Sequence, residues 1–536
     1  MPVLGCETSA LPLAKGCKIL HVPVDLQKEV TRRCGTVHSK PTHCEKEFGL
    51  HKHRVIDELQ TIGNRHLMET PEPDLSSRAW KLFVGVLRKT SRHLGLIRSA
   101  PVREVLEGKT GRRRKRFYAG IQQLADEGVS RRDARVTEMQ KLEMYEVSKI
   151  KDKEDRGIQY RSVKYNVALA RELHNVEKRV IGMHPDGYHP IMKGATPQQR
   201  AERLVHGSMR FKDPIYVLLD HRRFDAHVNI HLLREEHKFY MRCRRGSKVL
   251  RKLLRMQERN IGRTKGGIRY TAEGKRMSGD INTGLGNSVL NYGIIKAWLE
   301  ASGVRGYVYL DGDDSVVIIE RADYHKLVPL AEFMAKLGMV TEMEVTDKLW
   351  KAEFCQSRPV LVDGTVRYVR NPHKVLATVG SSAEIHDEET MSEVVRASCM
   401  CELALNGNCP VISPYCRRLL NIVGTGRTKF SAAQLWKAEQ YGAKFEVSVE
   451  SHIDDDARMS FWQAWGIEPG MQEVLECQDI IVGDPRQFKD RKVKNKQEIL
   501  DPLDEWSGAV MGSCDCGECP VYDAQIAYDA ARLLLK

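Results

Sequence analysis

The sequence predicts an α+β fold, in which a region of strands is flanked by more helical regions. From about residue 211 onward, short apolar strands alternate with longer helical patterns. After about residue 385 the pattern becomes mainly helical. Two pairs of strands are separated by short turn sequences, which is typical of antiparallel hairpins. Strands separated by helices, followed by a helical end, indicate an α+β middle region.

Each element is predicted from the local pattern of apolar residues. Leu82, Val86 and Leu87 indicate the first clear helix. Helices are predicted at 80–96, 229–256, 282–299 and 324–337. Strands are predicted at 215–219, 307–310 and 316–319, with a further hairpin over 354–368. Asn282 or Thr283 is a suitable N-cap for the helix that follows it.

Size and composition exclude several classes of protein. A chain of 536 residues is too long for one core, and 41% hydrophobic with 29% charged residues excludes a disordered or collagen-like chain. No stretch approaches 18 consecutive apolar residues, and the first twenty residues lack an apolar core, so neither a transmembrane helix nor a secretory signal is expected. The 14 cysteines then indicate reduced thiols in a cytosolic protein.

The charge of the chain favours a polyanionic partner. Lys and Arg number 85 against 71 acidic residues, which gives a net charge of +14. The densest basic run is at 109–118, where Phe117 and Tyr118 follow the cations directly. Its candidate RNA-binding residues are Arg112, Arg113, Arg114, Lys115 and Arg116. Cations with neighbouring aromatic residues fit a groove that follows a nucleic-acid backbone, and a solvated charged face is the alternative.

Acidic residues stand at the ends of predicted strands. Asp220 ends the strand at 215–219, and Asp313 and Asp314 lie in the turn between two later strands. Adjacent carboxylates repel each other unless a cation lies between them. If the strand ends lie side by side, Asp220 and Asp313 can share two Mg²⁺ ions, which would activate an attacking hydroxyl and stabilise a leaving pyrophosphate. The alternative is a solvated Asp-Gly turn.

A polar segment leads into the helix at 282–299. Asn287 lies one helical turn beyond Thr283 on the same face, so the pair can read a sugar or a backbone. Asp225 lies five residues after Asp220, within reach of the same site. A well-capped helix without any ligand is the alternative.

Together these segments resemble motifs A, B and C of positive-strand RNA virus RNA-dependent RNA polymerases. The three motifs are Asp220-x4-Asp225, Ser278-Gly-Asp-x-Asn-Thr-x3-Asn287 and Gly312-Asp313-Asp314. A closer resemblance is to the tombusvirus-like polymerases, and it is carried by Arg223-Phe224-Asp225, 276–280, 285–287 and 353–360. The segment at 156–167 is similar to their basic motif F. The resemblance runs from about residue 109 to about residue 410.

The resemblance implies a closed right-hand polymerase with fingers, an antiparallel palm sheet and a thumb. The implied regions are an N-terminal Cys/His-rich extension at 1–60, fingers at 61–210, a palm at 211–375, a helical thumb at 376–485 and a C-terminal tail at 486–536. Part of the fingers would be inserted into the palm between motifs A and B.

It also implies a role for each candidate residue. The metal-facing carboxylates would be Asp220, Asp313 and Asp314, with Asp313 the most important of the turn pair. The residues near the ribose would be Asp225, Asn287, Ser278 and Thr283. The cations that hold the triphosphate would be Arg156, Arg161 and Lys164. The expected cofactor is a pair of Mg²⁺ ions, for which Mn²⁺ can substitute, and the hairpin at 353–360 would support the primer end.

The implied partners are template RNA, nascent RNA and ribonucleoside triphosphates. A membrane-anchored viral replication protein and host factors are further expected partners, at membrane-associated replication complexes in the host cytoplasm. Two departures from the family pattern concern the site. Asp311 adds a third acid whose role the resemblance does not assign, and Thr341 stands where relatives often carry a lysine. Lys336 and Lys348 are substitutes for that lysine by proximity only.

Two other function classes fit part of the pattern. A reverse transcriptase or another palm-type DNA polymerase would also carry paired acids, but the Ser-Gly-Asp-x-Asn-Thr segment favours ribonucleotide chemistry. A non-catalytic RNA-binding or coat-like protein would explain only the basic runs. Two groups of candidate zinc ligands also stand out, with free thiols and histidines as the alternative. They are Cys34, His38, His43, Cys44, His51 and His53, and, near the end of the chain, Cys514, Cys516 and Cys519.

Overall fold

The structure is a computed structural model that describes residues 1–109, 111–431, 434–435 and 452–483. Within these ranges helices and strands are mixed along the chain, which confirms the α+β class. The predicted tail at 486–536, including its three cysteines, lies outside the described residues, and so does the side chain of Arg112.

The bounds of the elements are as follows. The strands are β1 (Val3–Leu4), β2 (Lys18–His21), β3 (Thr36–Val37), β4 (Ser39–Pro41), β5 (Phe48–His51), β6 (Val136–Gln140), β7 (Tyr145–Glu146), β8 (Gly157–Tyr160), β9 (Pro214–His221), β10 (Arg259–Thr264), β11 (Arg269–Glu273), β12 (Gly306–Asp311), β13 (Asp314–Glu320), β14 (Thr341–Thr346), β15 (Ser357–Val362), β16 (Thr365–Arg370), β17 (Ser381–Ser382) and β18 (Ile480–Val482). The helices are α1 (Val55–Gln60), α2 (Arg78–Leu94), α3 (Val102–Leu106), α4 (Gly111–Glu127), α5 (Val147–Ile150), α6 (Val163–Ile181), α7 (Pro197–Ser208), α8 (Phe224–His227), α9 (Ile230–Cys243), α10 (Lys248–Glu258), α11 (Thr283–Ser302), α12 (Leu330–Ala335), α13 (Pro372–Thr378), α14 (Glu388–Asn406), α15 (Ile412–Val423), α16 (Asp455–Trp465) and α17 (Pro469–Cys477).

The central sheet has four antiparallel strands in the order β12-β13-β9-β14. Three of its strands, β12, β13 and β9, are largely apolar on both faces because each face covers a separate core, whereas the edge strand β14 is mostly exposed. Val217 and Val317 point to a core shared with α2 and α11, whereas Tyr216 and Val316 point to a core shared with α7 and the β15–β16 hairpin. Helices on one face and a helix with a hairpin on the other therefore fix the position of the strand ends.

A second sheet lies beside the central one and has the order β2-β11-β10-β6-β8. Its core is formed by apolar residues such as Val136 and Tyr270. The edge strand β8 meets the polar segment that precedes α11, because the Gly279 amide donates to the Gln159 carbonyl at 2.9 Å. The second sheet therefore supports the loop that leads into α11.

The helices after residue 371 pack with the β15–β16 hairpin around a third core. Residues of that core include Val360, Tyr415 and Phe461. No helix in the described part of the chain is long and apolar enough to cross a membrane.

The predicted elements agree with the structure at the strands and differ at two helices. The predicted helix at 229–256 is divided into α9 and α10, because Gly246 has φ +84° and Ser247 accepts a capping hydrogen bond from the Leu250 amide at 3.1 Å. The predicted helix at 324–337 is a 3₁₀ turn at Arg321–Lys326 followed by α12, and Pro329 stands directly before α12.

Candidate active site

Three candidate carboxylates lie at one edge of the central sheet. Asp220 is near the end of β9, and Asp314 begins β13 after the two-residue turn of Gly312 and Asp313. The φ of +70° at Gly312 permits this tight turn. Leu219 of β9 pairs with Ser315 of β13, so Asp220 and Asp314 lie next to each other on neighbouring strands. The strand ends therefore lie side by side, which is the arrangement that shared metal ions would require.

Burial and neighbouring carboxylates raise the pKa of both turn acids, Asp313 and Asp314. Protein surrounds Asp313 although its side chain still reaches solvent, and this burial, with the charges of Asp225 and Asp314, raises the pKa of Asp313 to about 7. Burial, followed by the charges of Asp311 and Asp220, also raises the pKa of Asp314. Such repulsion is relieved when a cation binds between the carboxylates. Hard oxygen donors of this kind fit Mg²⁺.

The third acid of the turn region has a protein partner. Asp311 forms an ion pair with Arg200 of α7, with 2.5 Å between the Arg200 Nη2 and the Asp311 Oδ2. Arg200 also donates to the Ala195 carbonyl at 3.0 Å and lies 3.3 Å from the Cys355 Sγ. Asp311 is therefore neutralised by α7, and the same arginine places the 353–360 hairpin beside the carboxylates.

Helix α11 holds the Gly312–Asp313 turn through two polar side chains that the sequence analysis missed. The Gly312 amide donates to the Ser288 Oγ at 3.1 Å. The Asn291 Nδ2 donates to the carbonyl oxygens of both Gly312 and Asp313, each at 3.1 Å. Ser288 and Asn291 are buried. Asn291 follows Asn287 by one helical turn, and this spacing was the available signal.

A buried histidine continues this contact toward β14. The His221 Nε2 donates to the Asn291 Oδ1 at 2.8 Å, and the His221 Nδ1 accepts from the Thr341 hydroxyl at 2.8 Å. Burial lowers the pKa of His221 to about 4, so the imidazole is neutral near pH 7. Thr341 therefore orients His221, and the chain of contacts joins the segment of Asp220 to the turn of Asp313.

We expect Asn291→Ala to lower kcat about tenfold while RNA binding stays unchanged. The substitution leaves the buried His221 donor and two turn carbonyls without their partner, and each unpaired buried group costs roughly 1–3 kcal/mol. Single-nucleotide incorporation and RNA anisotropy measure the two effects. Glu300→Ala, at an exposed position near the end of the same helix, is the matched control. A normal kcat in Asn291→Ala would show that the turn needs no support from α11.

Asp225 and Asn287 lie together, as the resemblance to the polymerase motifs implied. The Asn287 Nδ2 donates to the Asp225 Oδ1 at 2.8 Å, and the Arg276 Nε donates to the Asn287 Oδ1 at 2.9 Å. Arg276 is itself held by a buried ion pair with Glu236. Burial raises the pKa of Asp225, whereas the hydrogen bond from Asn287 opposes that shift. The Asp225 carboxylate is thus held in a fixed direction near Asp313.

The hydroxyls of Ser278 and Thr283 are engaged with the loop itself. The Ser278 Oγ donates to the Gln159 Oε1 of β8 at 2.9 Å. The Thr283 Oγ1 donates to the Met277 carbonyl at 2.8 Å. These contacts hold the loop that precedes α11 against the second sheet, close to Asn287.

Of the three cations predicted to hold a triphosphate, Arg156 lies near the carboxylates. Its side chain is 55% exposed, and its guanidinium is 3.7 Å from the Glu143 carboxylate. Burial lowers the pKa of Arg156, but neighbouring groups outweigh this effect, so the pKa is raised above its ordinary value. These groups are Glu143, Tyr145, Asp225 and Asp313. Arg156 is therefore close enough to the carboxylate edge to contact a ligand there.

The other two cations differ from that expectation. Arg161 is buried, with its Nε 2.7 Å from the Asp280 Oδ1 and its Nη2 2.7 Å from the Asn260 Oδ1. The Lys164 Nζ lies 2.6 Å from a Glu127 carboxylate oxygen. Both side chains are bound by protein acids, so they stabilise the fold around the loop rather than facing the carboxylate edge.

The predicted basic run forms the first turns of α4. The side chain of Lys115 is exposed, and those of Arg113, Arg114 and Arg116 are partly buried. The run is therefore presented by a helix at the surface, with one exposed and three partly buried cations.

The N-terminal zinc ligands are not gathered into a site. The His53 Nε2 is 2.9 Å from a Glu58 carboxylate oxygen, and His51 packs against the ring of Tyr145. In the part of the chain that the structure describes, no group of three or more His, Cys, Asp or Glu side chains is arranged to hold a metal. These N-terminal candidates therefore form no zinc site in the described structure, and the carboxylates at the sheet edge are likewise not gathered into a group of three.

Comparison with known proteins identifies the family. A family model described as "Viral RNA dependent RNA polymerase" matches residues 30–478. Three curated relatives are named RNA-directed RNA polymerase. The relative from Red clover necrotic mosaic virus is 30% identical over 403 residues, which cover 73% of this chain and 52% of the relative. The relative from Tobacco necrosis virus (strain A) is 32% identical over 383 residues, which cover 70% of this chain and 53% of the relative. The relative from Carnation mottle virus is 30% identical over 429 residues, which cover 77% of this chain and 55% of the relative. The chain spans about half the length of these relatives.

Proposed function

Since this chain belongs to the viral RNA-dependent RNA polymerase family and is similar to its tombusvirus-like members, we propose that it copies a positive-strand RNA genome. The reaction is template-directed transfer of nucleotides from ribonucleoside triphosphates. The observation that carries this proposal is the sheet edge where Asp220, Asp313 and Asp314 adjoin the Asn287-bound carboxylate of Asp225.

The proposed architecture is a right hand. The central sheet with α11 serves as the palm, the regions before β9 and between β9 and α11 serve as fingers, and the helices after residue 376 serve as the thumb. The separate cores on the two faces of the sheet and around the later helices support this division.

In the proposed mechanism Asp220, Asp313 and Asp314 would hold two Mg²⁺ ions. The positive charge supplied there would activate the attacking hydroxyl and stabilise the pyrophosphate that leaves. The protein's own residues position the other groups. Asp225 accepts a hydrogen bond from the ribose 2′-hydroxyl, Asn287 orients Asp225, and α11 keeps the turn of Asp313 in place.

Arg156 is proposed to bind the triphosphate, and we expect Arg156→Ala to raise the KM for nucleotide about tenfold with a smaller effect on kcat. The loss is that of a charge-assisted contact worth roughly 1.5–3 kcal/mol. Arg161→Ala should instead lower the melting temperature, because Asp280 would be left buried and unpaired. Steady-state kinetics and thermal unfolding compare the two variants. Identical behaviour of both variants would contradict the separation of the two roles.

Template and nascent RNA are the proposed polymeric ligands. A membrane-anchored viral protein and host factors are proposed to bring the chain to membrane-associated replication complexes in the host cytoplasm, and the family resemblance is the support for this step. The purified chain with Mg²⁺, an RNA template and either ribo- or deoxynucleotides tests the proposal. Efficient synthesis from deoxynucleotides would favour the reverse transcriptase alternative. No synthesis would favour the non-catalytic alternative.

A further inference from the structure

A concave pocket with a volume of about 670 Å³ lies between α3, α4 and α6. The charged residues that line it are Arg98, Arg103, Arg114, Lys178, Glu104 and Glu107. Asn175 of α6 also lines the pocket, and no candidate carboxylate of the sheet edge is among the lining residues. The pocket is therefore separate from the carboxylate edge.

The pocket carries more positive than negative charge. Arg98 is paired with Glu104 at 2.5 Å, and the Lys178 Nζ is 3.6 Å from the Glu107 carboxylate. The guanidinium groups of Arg103 and Arg114 have no hydrogen-bond or ion-pair partner within the described ranges. Arg103 and Arg114 have no carboxylate partner among the described residues, and Arg98 and Lys178 line the same concave wall. This excess of positive charge favours the binding of an anion.

Arg114 connects this pocket to the basic run of α4. The run was predicted from its own charges, but the structure adds Arg98, Arg103 and Lys178, which come from other segments of the chain. Guanidinium groups bind phosphate oxygens through paired N–H donors and read no base sequence. Arg114 is followed directly by the exposed Lys115 of the same run, so cations inside and outside the pocket suit a chain of phosphates better than a single anion.

We propose that this pocket binds phosphate groups of single-stranded RNA outside the carboxylate site, an inference that rests on the polymerase function proposed above. Its occupant is a stretch of template away from the copied nucleotide. The pocket then contributes to the affinity for RNA, independent of sequence, without contacting the reacting groups.

The test is the salt dependence of RNA binding by the full chain. Each phosphate contact with a single strand adds about 0.7 to the slope of log affinity against log salt. The double variant Arg103→Ala with Arg114→Ala should lower the slope by about 1.4. Between about 50 and about 200 mM salt the wild type should therefore lose about sevenfold more affinity than the variant. Arg131→Ala, an exposed arginine after α4, is the matched control and should keep the wild-type slope.

A variant that is expected to strengthen RNA binding excludes misfolding as the cause of the effect. Glu107→Gln removes a negative charge from the pocket wall and should tighten RNA binding about two- to threefold at low salt, with an unchanged melting temperature. An unchanged slope in the double variant, or weaker binding by Glu107→Gln, would overturn the proposal. Loss of labelled GTP binding by the double variant with a normal RNA slope would also overturn it, because the ligand would then be a free nucleotide.

Binding and synthesis are measured separately, so the two proposals fail in different ways. If the double variant keeps the wild-type salt dependence of RNA binding and the wild type carries out template-directed synthesis, the pocket proposal is wrong and the polymerase proposal stands. If the wild type carries out no synthesis, the proposed polymerase function is wrong, regardless of how RNA binding depends on salt.

Discussion

Asp313→Ala is expected to abolish nucleotide incorporation while RNA binding persists. Asp313 lies in the turn that faces Asp225 and Asp314, and the substitution removes a proposed metal ligand together with its charge. A loss of at least about a hundredfold in kcat, or about 2.7 kcal/mol in the barrier, is the expected size. Asp220→Ala should have the same effect, and Asp314→Ala a smaller one. Incorporation of labelled nucleotide with Mg²⁺ and anisotropy with labelled RNA measure the two properties.

Glu342 provides the matched control for these variants. It pairs with Asp220 across β9 and β14, and its side chain is exposed. Glu342→Ala removes the same charge from the same sheet and should keep near-normal incorporation. If Asp220→Ala and Asp313→Ala both incorporate nucleotides at near-normal rates, the assignment of the metal ligands is wrong.

Asp225→Ala and Asn287→Ala should each lower kcat/KM for ribonucleotides by about ten- to over a hundredfold, with a smaller loss for deoxynucleotides. A hydrogen bond to a charged group is worth roughly 1.5–3 kcal/mol, and a site built for a 2′-hydroxyl is left unpaired by a deoxynucleotide. The 2.8 Å bond between Asn287 and Asp225 explains why both variants should behave alike. Steady-state incorporation of matched ribo- and deoxynucleotides on one template measures the ratio.

Thr283→Val separates sugar recognition from loop support. The Thr283 hydroxyl bonds only the Met277 carbonyl in the described contacts, so its removal should lower the use of both sugars equally. Equal losses for both sugars in Asp225→Ala and Asn287→Ala would mean that these residues also only maintain the shape of the site.

Much of the fold around the site could be predicted because its signals are local. The apolar runs on either side of Asp311–Asp314 predict the β12–β13 hairpin. The structure contains this hairpin, with Asp311 paired to Asp314. The end of α9 was missed, because the apolar pattern continues past residue 243. The interruption depends on Gly246 in a left-handed conformation and on the cap at Ser247.

The candidate site was predictable where the resemblance to the polymerase motifs implies that distant residues meet, as for Asp225 and Asn287, which are 62 positions apart. Arg161 and Lys164 were assigned from a basic segment, and nothing in that segment reveals that Asp280, 119 residues away, binds Arg161. His221 and Asn291 were missed for the same reason. Their bond joins residues 70 positions apart, and buried polar pairs leave no periodic pattern in the sequence.

Exchange of a single template base distinguishes template-directed RNA synthesis from incorporation that is independent of the template. The purified chain receives Mg²⁺, all four ribonucleotides separately labelled, and two RNA templates that differ at one position. A change from uridine to cytidine in the template should change the incorporated nucleotide from adenosine to guanosine, and Asp313→Ala should give no product. Incorporation that ignores the template base, or no incorporation by the wild type, would contradict it.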